Sequence, residues 1–304
     1  MSFKLFIYYC ALCGGWAALI AWAFAWCMGG TSTDPRTLFG SSAFLKTILI
    51  ASLLGLLVAA AIGALDAMLN AVGSQRFLRV GVCMSVGFIG GAFGGLVGEG
   101  LHQLNDFLLL IGWIIVGVAV GASVGVFDIV RAATSGQDIR VAMKKTLNGI
   151  YGGFLGGFIG GVFFGALAFV HLKDYLPNSS LAIGLVLLGM CIGLLIGLAQ
   201  VVLKEAWVKV EAGFRAGREI MLTKDETTIG RAESCDLGLF GDNTIERLHA
   251  RIERKNNQYV LADVETAGGT FLNDKPVRKS TPLRNGDAIR VGNSVLRFGE
   301  RAKR

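Results

Sequence analysis

The chain has 304 residues, of which 53% are hydrophobic, 43 are glycine and only 17% are charged, a composition far from that of ordinary soluble domains. Residues 1–203 hold 10 of the 29 Lys and Arg and 7 of the 22 Asp and Glu, so two thirds of the length carries about a third of the charge. The net +7 is spread over both parts, which fits an anionic membrane surface; with no basic stripe interleaved with aromatics, nucleic acid is not an expected partner.

Apolar runs long enough to cross about 30 Å of hydrocarbon as helices, roughly 20 residues each, lie near 5–27, 44–65, 80–101, 108–127, 147–170 and 180–203. The first follows Lys4, contains Trp16, Trp22 and Trp26, and is too long for a cleaved leader, so it reads as a span. Helix is the expected form, because every backbone donor must be paired within its own segment and alternating polarity is missing. Pro35 and Pro177 fall in connecting loops and Pro276 and Pro282 beyond the last span. Cys10 and Cys13 form the single CxxC. Without a second pair they read as small packing residues, and no metal or other cofactor is expected.

Basic residues near the span ends set the orientation. Lys4, Arg76, Arg79, Arg131, Arg140, Lys144, Lys145 and Lys204 fall on one side, against Arg36, Lys46 and Lys173 on the other. Both termini are therefore expected inside, in a bacterial-type inner membrane, with the loops near 28–43, 102–107 and 171–179 outside.

The spans also repeat. Ile62 to Asp66 (IGALD), Val124 to Asp128 (VGVFD) and Ile196 to Gln200 (IGLAQ) each end an even-numbered span. Gly87, Gly90, Gly91, Gly94, Gly95 and Gly98 recur as Gly149, Gly152, Gly153, Gly156, Gly157 and Gly160, with Gly14 and Gly15 as a degenerate first copy. Three glycine-rich helical hairpins related by approximate threefold pseudosymmetry are expected, with bare glycine faces packed by close contact. Asp66, Asp128, Asn70 and Asn148 sit near one interface and Glu99 and His102 near the other. The two aspartates are expected where water reaches them, ending helices or joining hairpins. No ladder of charges crosses the bilayer.

After Leu203 the pattern alternates. Trp207–Glu211, Glu219–Leu222, His249–Glu253, Tyr259–Ala262 and Thr270–Leu272 read as strands, and Ala288–Val291 and Ser294–Phe298 flank Gly292-Asn293, a pair suited to a tight hairpin. The expected architecture is a six-helix membrane domain, 1–204, tied by a short linker to an all-β sandwich, 205–304.

Five ordered motifs carry a family resemblance: Thr228-Ile229-Gly230-Arg231, Cys235-Asp236-Leu237, Arg247-Leu248-His249-Ala250-Arg251-Ile252, Gly269-Thr270-Phe271-Leu272-Asn273 and Leu283-Arg284-Asn285-Gly286-Asp287. Over about 205–300 the chain resembles a forkhead-associated (FHA) domain. The resemblance implies an eleven-stranded sandwich whose end loops bind phosphothreonine peptides. Arg231 is then the phosphate anchor, since guanidinium grips oxygens with two donors at once. Gly230 is expected to allow a sharp backbone turn, His249 to pin loops, and Gly269 to belong to the structural motif. Asn273 is expected to bond the peptide main chain, with Arg247 and Thr266 as secondary contacts. Two departures stand out: the family's phosphate-binding serine is Glu246 here, and the asparagine before the Gly-Thr pair is Gly268. A carboxylate opposes the nearly two negative charges of phosphothreonine. Glu246 is alternatively a partner for Arg231, acting as an internal phosphate mimic, so phosphothreonine-dependent and phosphate-independent binding both stand.

The leading expectation is a membrane-anchored adaptor or scaffold for a protein partner, threonine-phosphorylated or not, touching membrane lipids and open to homo-oligomers or membrane complexes. The alternative is a channel or transporter subunit regulated by the β domain. An enzyme is not expected: no Ser/His/Asp set, P-loop, HExxH or paired-carboxylate constellation is present, and the histidines are His102, His171 and His249.

Overall fold

The computed structural model describes residues 3–27, 43–70, 75–135, 139–169, 179–213, 216–222, 226–255, 258–264 and 266–301. Of the loops expected near 28–43 and 171–179, residues 28–42 and 171–178, with Pro35, Arg36, His171, Lys173 and Pro177, lie outside the described residues.

Among the described residues six α-helices come first: α1 (Phe3–Cys27), α2 (Ala43–Asn70), α3 (Gln75–His102), α4 (Leu109–Ser135), α5 (Ile139–Phe169) and α6 (Ser179–Val202). Each contains a stretch long and apolar enough to cross a membrane, and no proline interrupts any of them. Consecutive helices pack side by side and α1 closes onto α6, while α2, α4 and α6 meet one another at the centre. Glycine decides the closest approaches. A Cβ on Gly55 of α2 or Gly87 of α3 would strike the other's carbonyl, and so would one on Gly117 or Gly153, on Gly121 or Gly149, and on Gly14 or Gly189. The large side chains point the other way: Phe88, Ile89 and Phe93 of α3 and Tyr151, Phe154 and Phe158 of α5 are exposed.

Two helices start earlier than their apolar runs. α3 begins at Gln75 rather than near 80, and α5 at Ile139 rather than near 147, because Gln, Arg, Lys and Met are good helix formers that carry the helix past its apolar part. Arg79 and Lys145 are thereby inside helices, 1% and 5% exposed. They meet Asp66, also 1% exposed, and Asp128. The Arg79 guanidinium pairs with Asp66 through Nη1 and with Asp128 through Nη2. The Lys145 ammonium lies 2.8 Å from Asp66 Oδ2 and 2.9 Å from Asp128 Oδ2. Two acids and two bases form a closed, neutral ring joining α2, α3, α4 and α5. Phe127 lies under the guanidinium, 5.1 Å from ring centroid to Cζ. This corrects the expectation of a hydrated Asp66, and it removes Arg79 and Lys145 from the set of interfacial cations. Lys4, Arg76, Arg131, Arg140, Lys144 and Lys204 still outnumber Arg36, Lys46 and Lys173.

β1 (Ala206–Ala212) begins four residues after α6 ends. It is followed by β2 (Glu219–Met221), β3 (Glu226–Gly230), β4 (Leu237–Gly238), β5 (Ala250–Lys255), β6 (Gln258–Asp263), β7 (Thr270–Leu272), β8 (Lys275–Pro276), β9 (Thr281–Pro282), β10 (Ala288–Val291) and β11 (Ser294–Glu300). They form two sheets, β2-β1-β11-β10-β7-β8 and β4-β3-β5-β6-β9. Alternation places Ala206, Val208 and Val210 of β1 inward, where they meet Ile252, Leu261, Ile289, Leu296 and Phe298 in one core; each such fully buried Val, Leu, Ile or Phe contributes roughly 1.5–3 kcal/mol. Val291 pairs with Ser294 across Gly292-Asn293, and Gly292 takes a φ of 56°, which supplies the positive φ that a tight hairpin needs.

Candidate binding site

Three connections gather at one end of the sandwich: residues 231–236 after β3, 239–249 before β5, and 264 with 266–269 between β6 and β7. Backbone bonds lock the first to the second. Arg231 N–H donates to Glu246 O at 2.8 Å, Ala232 N–H to Arg247 O at 3.0 Å, and His249 N–H to Ile229 O at 2.8 Å. Gly230 explains why the chains come so close. Its φ is not positive, so the expected sharp turn is not its role; instead a Cβ there would collide with the Arg247 carbonyl and sit 2.9 Å from Leu248 Cα.

His249 fastens the second connection to the third. It is 0% exposed. Its Nδ1 accepts from Glu246 N–H at 3.1 Å, which places the proton on Nε2, directed at Gly269 O and Thr266 Oγ1, each at 3.2 Å. The Thr266 hydroxyl donates in turn to Asp263 Oδ1 at 3.1 Å, while Asp263 also accepts from Thr266 N–H at 3.1 Å and Thr270 Oγ1 at 2.5 Å. Gly269 takes a φ of 64°, a left-handed conformation that a side chain would strain.

On this frame stand the charged groups. Arg231 is exposed and bonds Asn243 Oδ1 through Nη1 at 3.0 Å. Glu246 does not pair with it. Glu246 Oε1 accepts from Ala267 N–H at 3.0 Å, spanning the second and third connections, so the internal phosphate mimic is not formed. Arg247 is exposed, and its side chain has no polar partner among the described residues. A Cβ on Gly268 would meet only ordinary contacts, 3.5 Å from Thr244 O and 3.8 Å from His249 Cε1.

Asn273 is occupied elsewhere. With Asp274 it forms the two-residue turn between β7 and β8, at φ of 48° and 63°. Its Nδ2 donates to Asp287 Oδ1 at 2.8 Å and its Oδ1 accepts from Ala288 N–H at 2.9 Å, so both ends of the amide are engaged in ordering the start of β10. Sequence reading missed Asn243, Asp263 and Asp242. Asp242 accepts from Thr244 N–H at 3.0 Å and Oγ1 at 2.5 Å and from Asn293 N–H at 2.8 Å; the Thr244 hydroxyl, then the two backbone donors, hold its carboxyl below the usual carboxylate range. The Asp-x-Thr spacing was the available signal for that turn. For Asp263 the signal was Thr266 three residues on, while Thr270 is brought to it by the turn into β7.

Residues 227–292 match the family model of the FHA domain. The C-terminal β unit is an FHA domain. Among its relatives, the oxoglutarate dehydrogenase inhibitor of Corynebacterium jeikeium is 37% identical over 94 residues, covering 31% of this chain and 64% of that protein. The glycogen accumulation regulator GarA of Mycobacterium tuberculosis is 36% identical over 94 residues, covering 31% and 57%. This chain thus spans less than two thirds of either relative. A solved FHA domain from a study of phosphothreonine-dependent interactions is 27% identical, with 33% of this chain and 100% of that one covered and a TM-score of 0.30.

Proposed function

We propose that this protein is a membrane-anchored FHA adaptor that binds a threonine-phosphorylated protein partner at the cytosolic face. The single observation that carries phosphate recognition is that Arg231 keeps an exposed guanidinium held by neutral Asn243, while the carboxylate of Glu246 is taken by Ala267 N–H. Arg247 adds a second exposed cation on the neighbouring connection. Thr266 and His249 hold the rim, and Gly268 leaves room where the family has asparagine. The relatives named as an inhibitor and a regulator support a role exercised by binding rather than by catalysis.

In this reading residues 1–204 are the anchor, with both termini cytosolic, and 205–304 the reader. The six apolar helices and the excess of interfacial cations support that placement. Three hairpin repeats are supported by matching helix contacts: Gly55 meets Gly87 as Gly117 meets Gly153 and as Gly189 meets Gly14. The odd-numbered helices then align one helical turn further along than the glycine pattern alone suggests. Arg79 falls opposite Lys145 and Phe6, as Asp66 does opposite Asp128 and Gln200. Two corners of the repeat carry an acid and a base, and the third carries neither.

The test is titration of the full chain in detergent with a phosphothreonine peptide library, beside Arg231→Ala. Binding that needs the phosphate and falls at least tenfold in the variant is expected. Wild-type chain that ignores every phosphopeptide, or a variant that binds as well as wild type, refutes phosphate recognition. Cleavage beyond Leu203 by protease added outside intact cells refutes the topology.

A further inference from the structure

Between the helices and the FHA domain lies a cavity of about 190 Å³, lined by Lys144, Lys145 and Asn148 of α5, Gln200 at the end of α6, the linker at Lys204, and Met221 beyond β1, among others. Its floor is spoken for: Lys145 belongs to the neutral ring, and its carbonyl accepts from Gln200 Nε2 at 3.0 Å. Its rim is not balanced. Lys144 pairs with Glu205, which also faces Arg254 at 3.4 Å. Arg301 Nη1 donates to Val202 O at 3.2 Å, and Glu219 Oε2 accepts from Phe3 N–H at 3.2 Å. With Lys145 set aside, the charged side chains that line the cavity among the described residues are the cations Lys144 and Lys204 and the acid Glu205.

Lys204 is the distinctive member. Its ammonium lies 3.6 Å from the centroid of the Phe3 ring and 4.0 Å from that of Trp207, and among the described residues no carboxylate comes within ion-pair distance of it. Burial pulls its pKa down to about 8, with Glu219 acting in the opposite sense. A lysine set between two aromatic faces, next to a polar hollow and just past a helix end, lies where cations and aromatic rings gather at a membrane surface.

We propose that this cavity binds an anionic phosphate group, carried on a lipid headgroup or free in solution, gripped by Lys204 and by Lys144 released from Glu205. The lipid source rests on the reading that the six helices span a membrane. Basic pockets at the cytosolic ends of helices suit such headgroups. Because the grips come from α5 and from the linker into β1, an occupant would tie the FHA domain to the bundle. None of these residues belongs to the phosphopeptide loops, so a second, separate phosphate-recognition site results.

The experiment uses the full chain in detergent. Native mass spectrometry would count phosphatidylglycerol and phosphatidylcholine adducts, and amine acylation mapped by peptide sequencing would report protection of Lys204 by phosphatidylglycerol or by millimolar inorganic phosphate. Phosphatidylglycerol is expected to be retained over phosphatidylcholine, and Lys144→Gln/Lys204→Gln is expected to lose about tenfold of that preference. Lys204→Arg should keep it, and so should Lys279→Gln, in the connection between β8 and β9 and outside the cavity's lining. Protection by inorganic phosphate without lipid preference would assign the site to free phosphate. Equal retention of both lipids together with no protection by either probe overturns the proposal, and so does a double variant that keeps the preference. If that variant does not fold, protection of Lys204 in the wild-type chain decides. Release of the chain from membranes by alkaline carbonate, with protection by phosphate intact, would refute membrane insertion and leave the phosphate site standing.

Discussion

Lys145 of α5 reaches Asp66 of α2, Nζ to Oδ2 at 2.8 Å, across 79 residues of sequence and in a place where both side chains are almost fully buried. Such a pair is costly to desolvate, and its value lies in never being broken singly. Asp66→Asn leaves Lys145 and Arg79 sharing one carboxylate, so about 3–5 kcal/mol of stability should be lost, with a clear fall in the thermal midpoint of the detergent-solubilised chain. Asp66→Asn/Lys145→Met keeps the charges balanced through Arg79 and Asp128. It should cost less than the two single changes added together; strict additivity would mean that the four groups do not act as a ring.

Glycine substitutions should divide by position. Gly121→Ala drives a methyl group into the Gly149 carbonyl, and about 1–3 kcal/mol of overpacking is expected, more if the helices cannot separate. At Gly81 and Gly165 an added Cβ meets nothing within 4 Å, so alanine there should be neutral or slightly stabilising through better helix propensity. Thermal midpoints of the three variants check this, and equal losses at all three would contradict close helix approach as the reason for the pattern.

Glu246→Ser should tighten phosphothreonine-peptide binding about tenfold, because it removes a like charge beside a near-dianion and supplies a hydroxyl. The exchange also gives up the bond from Ala267 N–H to Glu246 Oε1, so Glu246→Gln is the matched control for charge alone. Isothermal titration is the measurement. No gain in either variant would show that the loops have been turned to unphosphorylated partners.

Lys204 provides a pH test. Its folded pKa of about 8 lies below the ordinary 10.5, so the proton binds better when the lysine is freed from the junction. The penalty on the closed junction is full below about pH 8 and fades as pH rises toward 10.5. Wild-type stability minus that of Lys204→Met should therefore rise between pH 8 and 10, read as the difference in thermal midpoints. A flat difference would mean that the ammonium is not desolvated by Phe3 and Trp207.

Much of the architecture was legible along the chain, since the number of long helices follows from the apolar runs and strand identity from alternation. The motif residues of the FHA domain were readable because turns and close approaches demand particular residue types at short range, as at Gly269 and in the Gly292-Asn293 hairpin. Arg79 and Lys145 were misplaced for a physical reason: a hydropathy pattern ends where the first charge appears, while a helix continues as long as its backbone bonds do. Whether a charged residue beyond that point faces water or a carboxylate depends on which helix lies opposite. The same holds for Glu246, whose neighbours in sequence are Ile245 and Arg247 but whose partner is Ala267, and for Asn273, whose amide is claimed by Asp287 and Ala288. Sequence alone determined the elements and the chemistry available to them. Only the tertiary structure decided which charges are neutralised and which remain free to bind, because electrostatic partners are chosen by distance in space.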